Sequence, residues 1–96
     1  MPASLPVVDV WVAYGERGTV ETAMRVAARL RARGRSVEYA LGSQKLARQL
    51  KAAHAAGARE TVVVATPELA DGEAMVRHMA DGGEEKVKLD TWIANA

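Results

Sequence analysis

The residues best suited to chemistry gather in "GSQKLARQLKAAHAAGAR", residues 42–59, where Gln44, Lys45, Arg48 and Lys51 recur close together. At about 100° per residue this spacing puts all of them on one side of a helix. Ammonium, guanidinium and amide groups so arranged are hydrogen-bond donors for phosphate oxygens rather than acid–base catalysts, so the chemistry implied is the binding of a polyanion. A second group follows two apolar runs. Tyr14, Glu16 and Arg17 come directly after "VVDVWVA", and Glu68 comes just after "ETVVVAT". The Tyr14 ring can stack on a base, worth about 1–3 kcal/mol, or it is a partly buried anchor of its loop. The carboxylates of Glu16 and Glu68 can accept from an amino group on a base edge. Taken together, these residues predict a site for looped-out nucleotides.

Other chemistries find little support. The chain contains no cysteine, which excludes disulfides, thiolate zinc sites and cysteine nucleophiles. His54 and His78 are far apart and neither lies in a ligand-spaced cluster, so no metal is expected. Ser43 in "LGSQK" lacks the Gly-x-Ser-x-Gly frame of a nucleophile elbow and suits helix capping instead. "YGERGT" follows a strand as a phosphate loop would, but has neither the Gly-x-Gly-x-x-Gly spacing nor the Gly-Lys-Ser/Thr ending. The expectation is a chain with no catalytic residue, no cofactor and no activity of its own.

The elements that must position these groups follow from periodicity. "VVDVWVA" (7–13) reads as a buried strand, with Asp9 near its start or on a solvated face. Thr19 caps a helix whose Val20, Ala23, Met24, Ala27 and Leu30 share an apolar face, with Glu21, Arg25, Arg29 and Arg33 opposite and Gly34 ending it. "SVEYAL" (36–41) is a second strand. On the helix that follows, Leu46, Leu50 and Ala53 form the buried stripe and Gly57 closes it. "ETVVVAT" (60–66) is a central strand covered on both faces. "EAMVRHMA" (73–80) and "EEKVKL" (84–89) form a hairpin through "DGG", and Asp90 caps a short final helix carrying Trp92 and Ile93.

The predicted fold is therefore α/β, in three layers: a five-stranded mixed sheet, parallel β-α-β-α-β followed by an antiparallel hairpin, with three main helices. With strand order 2-1-3, the switch point between the first and third strands would bring Tyr14–Arg17 and Thr66–Glu68 together, with 42–45 next door. Residues 1–6 are expected to be a leader and 7–96 a single domain. No apolar run approaches a membrane span of roughly 18 residues, and "MPASLPVV" is not a signal peptide. The default location is cytoplasmic, with no membrane partner.

Charge divides unevenly along the chain. Residues up to Arg59 carry ten Lys/Arg against four acids; from Glu60 onward there are three against eight. That asymmetry suits a polyanion-binding side, or it cancels in the folded surface. The hairpin's outer strand offers an edge to a homodimer, although Lys86 and Lys88 discourage pairing there.

The stretches "DVWVAYG", "AARLRARGRSVEYAL", "QKLARQLKAAHAAGAR" and "VVVATPELADGEAMVRHMADGGEEKVKLDTWI" resemble, in order and spacing, the C-terminal anticodon-binding domain of class II aminoacyl-tRNA synthetases, closest to histidyl-tRNA synthetase. The likeness covers about residues 7 to 95 and its most specific part is the basic helix. It implies a mixed five-stranded α/β unit that grips the anticodon stem-loop of a tRNA, while a separate catalytic domain in a parent ligase activates the amino acid. The chain would then be an excised domain or a free-standing paralogue, the alternative being a protein-interaction or regulatory module that keeps the fold without RNA. Family members carry a Gly-Gly-Arg-Ser-like turn before the basic helix. Here "GSQK" places Gln44 where the arginine would be, so contact with backbone phosphate falls to Lys45.

Overall fold

The structure, a computed structural model, describes residues 8–41 and 45–96. Eight elements follow in the order β1 (Val10–Tyr14), α1 (Val20–Arg31), β2 (Val37–Tyr39), α2 (Leu46–Ala55), β3 (Glu60–Val64), β4 (Glu73–His78), β5 (Glu84–Lys88) and α3 (Leu89–Ala94). The strands form one sheet in the order β2-β1-β3-β4-β5. β1 runs parallel to β2 and β3; β3 and β4, and β4 and β5, are antiparallel. This is the mixed sheet that the spacing of the apolar runs predicts.

Strand alternation sorts the core into two layers. Val10, Val12, Tyr14, Val62, Val64, Ala74 and Val76 face α1 and α3, where they meet Ala23, Val26, Ala27, Leu30 and Ile93. Trp11, Ala13 and Val63 face α2, against Leu46, Leu50 and Ala53. The three layers are thus α1 with α3, the sheet, and α2. Thr19 is the N-cap of α1 and shares a capping box with Thr22. Both long helices end as their glycines require: Gly34 and Gly57 take φ of +84° and +72°. The N–H groups that follow, of Arg35 and Ala58, reach back to Leu30 and Ala53 in Schellman turns.

Some expectations are corrected. Met24 is 47% exposed rather than part of the apolar face, because the packed stripe of α1 runs through Ala23, Val26, Ala27 and Leu30. β3 is central, but its α2 face is only partly covered: Val63 is half-buried, since α2 packs mainly on β1. Lys88, not Asp90, is the N-cap of α3; Asp90 sits in the first turn and accepts from Arg29 Nη1 at 2.8 Å. Arg33, in the turn after α1, donates from Nε to the Ala96 carbonyl, so Arg29 and Arg33 tie the C-terminal segment down instead of facing solvent freely. Asp9 precedes β1 and accepts from the Ser36 N–H. The hairpin loop is longer than "DGG", running from Met79 to Gly83. Ser43 as a cap lies outside the described residues.

Candidate nucleic-acid interface

The carboxyl ends of β1 and β3 open into a cleft of about 610 Å³, lined by Tyr14, Gly15, Glu16, Gly18, Lys45, Leu46, Thr66, Pro67 and Glu68. It lies at the point where the chain winds to β2 on one side and to β3 on the other, the place where open α/β sheets bind ligands. Its size is that of a small-molecule or nucleotide pocket.

The two turns that form it are laced together by backbone. Gly15 N–H donates to the Val64 carbonyl at 2.9 Å, and Arg17 N–H to the Ala65 carbonyl at 3.0 Å. Ala65 has a φ of +58°, the only positive value outside glycine among the described residues. An alanine held in the left-handed region carries strain of about 1–2 kcal/mol. Replacement by glycine relieves it but loosens the unfolded chain by a similar amount. Ala65→Gly is therefore expected to leave stability within about 1 kcal/mol of the parent in a urea melt.

The predicted site residues fall as follows. Glu16, Lys45 and Glu68 line the cleft and are exposed. Neither carboxylate has an ion-pair partner among the described residues, which leaves both free as acceptors. Arg17 is exposed in the same turn but outside the lining. Arg48 and Lys51 are exposed along α2, beyond the rim, again without ion pairs among the described residues. Gln44 lies outside the described residues. Tyr14 is the correction. It ends β1 with 5% of its surface exposed and belongs to the core under α1. A ring so enclosed has no open face for a stacked base; Tyr14 forms part of the cleft wall instead.

Two features were missed from sequence. One is Gln49, fully buried on α2, which holds the Tyr14 backbone: it accepts from the N–H at 3.0 Å and donates to the carbonyl at 2.8 Å. The other is the sheet face beside α2. Register places Met75 next to Val63, and Arg77 next to Thr61, on that face. Lys86 lies across from Met75. Met75 and Arg77 are half-buried, and Arg77 has no ion pair among the described residues. The alternation of polar and apolar residues in "EAMVRHMA" carried this signal, since a strand half-covered on one face shows it.

The sequence profile of the family described as "Anticodon binding domain" matches residues 8–95. The chain belongs to this family. It is 38% identical over 96 residues to the histidine–tRNA ligase of Anoxybacillus flavithermus, covering 96% of this chain and 22% of that protein. It is 41% identical over 78 residues to that of Geobacillus kaustophilus, covering 81% of this chain and 18% of the relative. Among solved structures, apo histidyl-tRNA synthetase of S. aureus superposes with a TM-score of 0.80 at 24% identity, over 93% of this chain and 26% of that one. The RNA binding domain of threonyl-tRNA synthetase from Cryptosporidium parvum superposes with a TM-score of 0.74 at 21% identity, over 95% and 24%. These superpositions agree on the fold. The anticodon-binding domain thus spans about a fifth of the length of the curated relatives it matches. No described helix is long and apolar enough to cross a membrane.

Proposed function

We propose that this anticodon-binding domain holds the unpaired anticodon loop of a tRNA in the cleft between the β1 and β3 turns, and that histidine tRNA is the ligand of its parent ligase. The observation that carries this is the composition of the cleft: Glu16 and Glu68 inside it, without an ion pair among the described residues, and Lys45 on its rim with Arg48 and Lys51 behind. Carboxylates repel phosphate but accept well from base amino and imino groups. The base edges therefore enter the cleft, and the phosphates follow the cations outside it. The N-terminus of α2, with Lys45 as N-cap and no acidic residue in its first turn, opens on the same rim and adds a partial positive charge. The half-open sheet face with Met75 and Arg77 gives a splayed nucleotide a surface to lie on. The domain contributes binding, and the reaction belongs to a catalytic domain elsewhere in the parent protein. A tRNA ligand implies a cytoplasmic location.

Titration of the domain with a labelled anticodon stem-loop at two salt concentrations tests this. With three to five phosphate contacts, log K is expected to fall against log salt with a slope of about −2 to −4. Binding that ignores salt, or none in dilute buffer, removes the reading.

A further inference from the structure

We infer that Gln49 is the positioning residue of the cleft, the group that fixes the cationic helix against the turn that recognises the bases. The inference rests on the RNA-binding reading above and adds to it how specificity is held.

β2 ends at Tyr39, whose partner on β1 is Val12. β1 continues for two more residues, so on the β2 side Tyr14 has no strand to follow. Tyr14 is buried, and a buried peptide needs both its donor and its acceptor satisfied. Gln49 supplies both from a helix. Its Oε1 accepts from Tyr14 N–H and its Nε2 donates to Tyr14 O, so one side chain does what two peptides of a neighbouring parallel strand would do. The consequence is geometric. Tyr14, Gly15 and Glu16 form one wall of the cleft, and Lys45 and Leu46, one turn before Gln49, form part of the other. The amide clamp therefore joins the carrier of the cations to the carrier of the carboxylate directly beneath the ligand. Leucine fits the volume but makes neither bond. An ionised glutamate makes one and sets a second acceptor against the Tyr14 carbonyl; a protonated one carries both a donor and an acceptor and restores the pattern.

The test uses Gln49→Leu and Gln49→Glu in the full chain. The ligands are the anticodon stem-loop of a histidine tRNA and the same stem-loop with its anticodon bases replaced. Wild type is expected to prefer the first. Gln49→Leu, studied well below its melting temperature, is expected to lose about tenfold of that preference while its salt slope stays, because misplacement harms recognition more than bulk charge. Gln49→Glu is expected to regain the preference in acid and lose it as pH rises, each value referred to wild type at the same pH. Burial raises that carboxyl's titration into an accessible range.

Because the chain has no cysteine, Glu16→Cys with Ala47→Cys can carry a pair of nitroxides. Their distance distribution is expected to be narrow in wild type, broad in Gln49→Leu, and narrow only in acid for Gln49→Glu. If wild type binds neither RNA, the RNA reading fails while the distance measurement still decides whether Gln49 positions the cleft. A folded Gln49→Leu with wild-type preference, or with an unchanged distribution, overturns the inference. Should Gln49→Leu not fold, the acid and alkaline states of Gln49→Glu decide it alone.

Discussion

Reversing Lys45 and Arg48 together, as Lys45→Glu with Arg48→Glu, is expected to weaken binding of the anticodon stem-loop at least about a hundredfold at moderate salt, with the fold intact. Each removed phosphate contact lowers the salt slope by roughly 0.7 for unpaired RNA, and each new carboxylate repels the backbone it replaced a contact to. The slope is thus expected to drop by more than about 1 as well. Stability has no reason to follow. Both side chains are exposed and neither is in an ion pair among the described residues, so surface rules give a change within about 0.5 kcal/mol. Lys45 stands at the N-cap of α2, where a negative charge suits the helix dipole better than a positive one. The variant should therefore melt no lower than its parent and yet fail to hold RNA. A domain that keeps the fold for a protein partner would show the opposite: no RNA binding to lose, and a partner that survives the reversal. Comparing the melting temperature with the titration separates the two.

The elements were readable because each rule had a local cause. Strands of valine, helices closed by Gly34 and Gly57, and crossovers too long for hairpins admit few arrangements, and β2-β1-β3 is one of them. That order alone brings Glu16, Glu68 and Lys45 to one opening. What sequence could not decide was the depth of a side chain at a strand end. Tyr14 alternates correctly to face α1, but whether the ring is capped by a turn or left open depends on how the β1 and β3 loops meet. Charge counts left two readings open in the same way. The excess of cations before Arg59 includes Arg29, Arg31 and Arg33, which bind Asp90, Val37 and Ala96 and so hold the fold together. Gln49 had a signal that went unread. It stands at the spacing of Leu46, Leu50 and Ala53, so a polar residue occupied the buried stripe, and such a residue must have partners waiting.

Gly15→Ala is expected to cost about 2–3 kcal/mol and to weaken RNA binding even in the folded fraction. The backbone at position 15 is not in the left-handed region, so conformation is not the cause. Space is. A Cβ there would lie 2.7 Å from Thr66 Cγ2, 2.9 Å from the Ala65 carbonyl oxygen and 3.0 Å from Thr66 Cα. Two of those atoms are backbone and cannot rotate aside. The turn must shift as a whole, yet it is bonded through Gly15 N–H to Val64 and through Arg17 N–H to Ala65. A domain has only roughly 5–15 kcal/mol in hand, so this is a large share of it. Gly34→Ala is the control: its φ is +84° but nothing lies within 4 Å, so only the backbone preference is lost, about 1–2 kcal/mol, with no effect on the cleft. Urea unfolding followed by the fluorescence of Trp11 and Trp92 gives the stability of each variant, and stem-loop titration gives the binding. Because Thr66, Pro67 and Glu68 follow directly from the displaced contact, the widened turn carries the Glu68 carboxylate out of line with Glu16. If Gly15→Ala melts and binds as the parent does, the two turns are not in contact and the cleft has another shape.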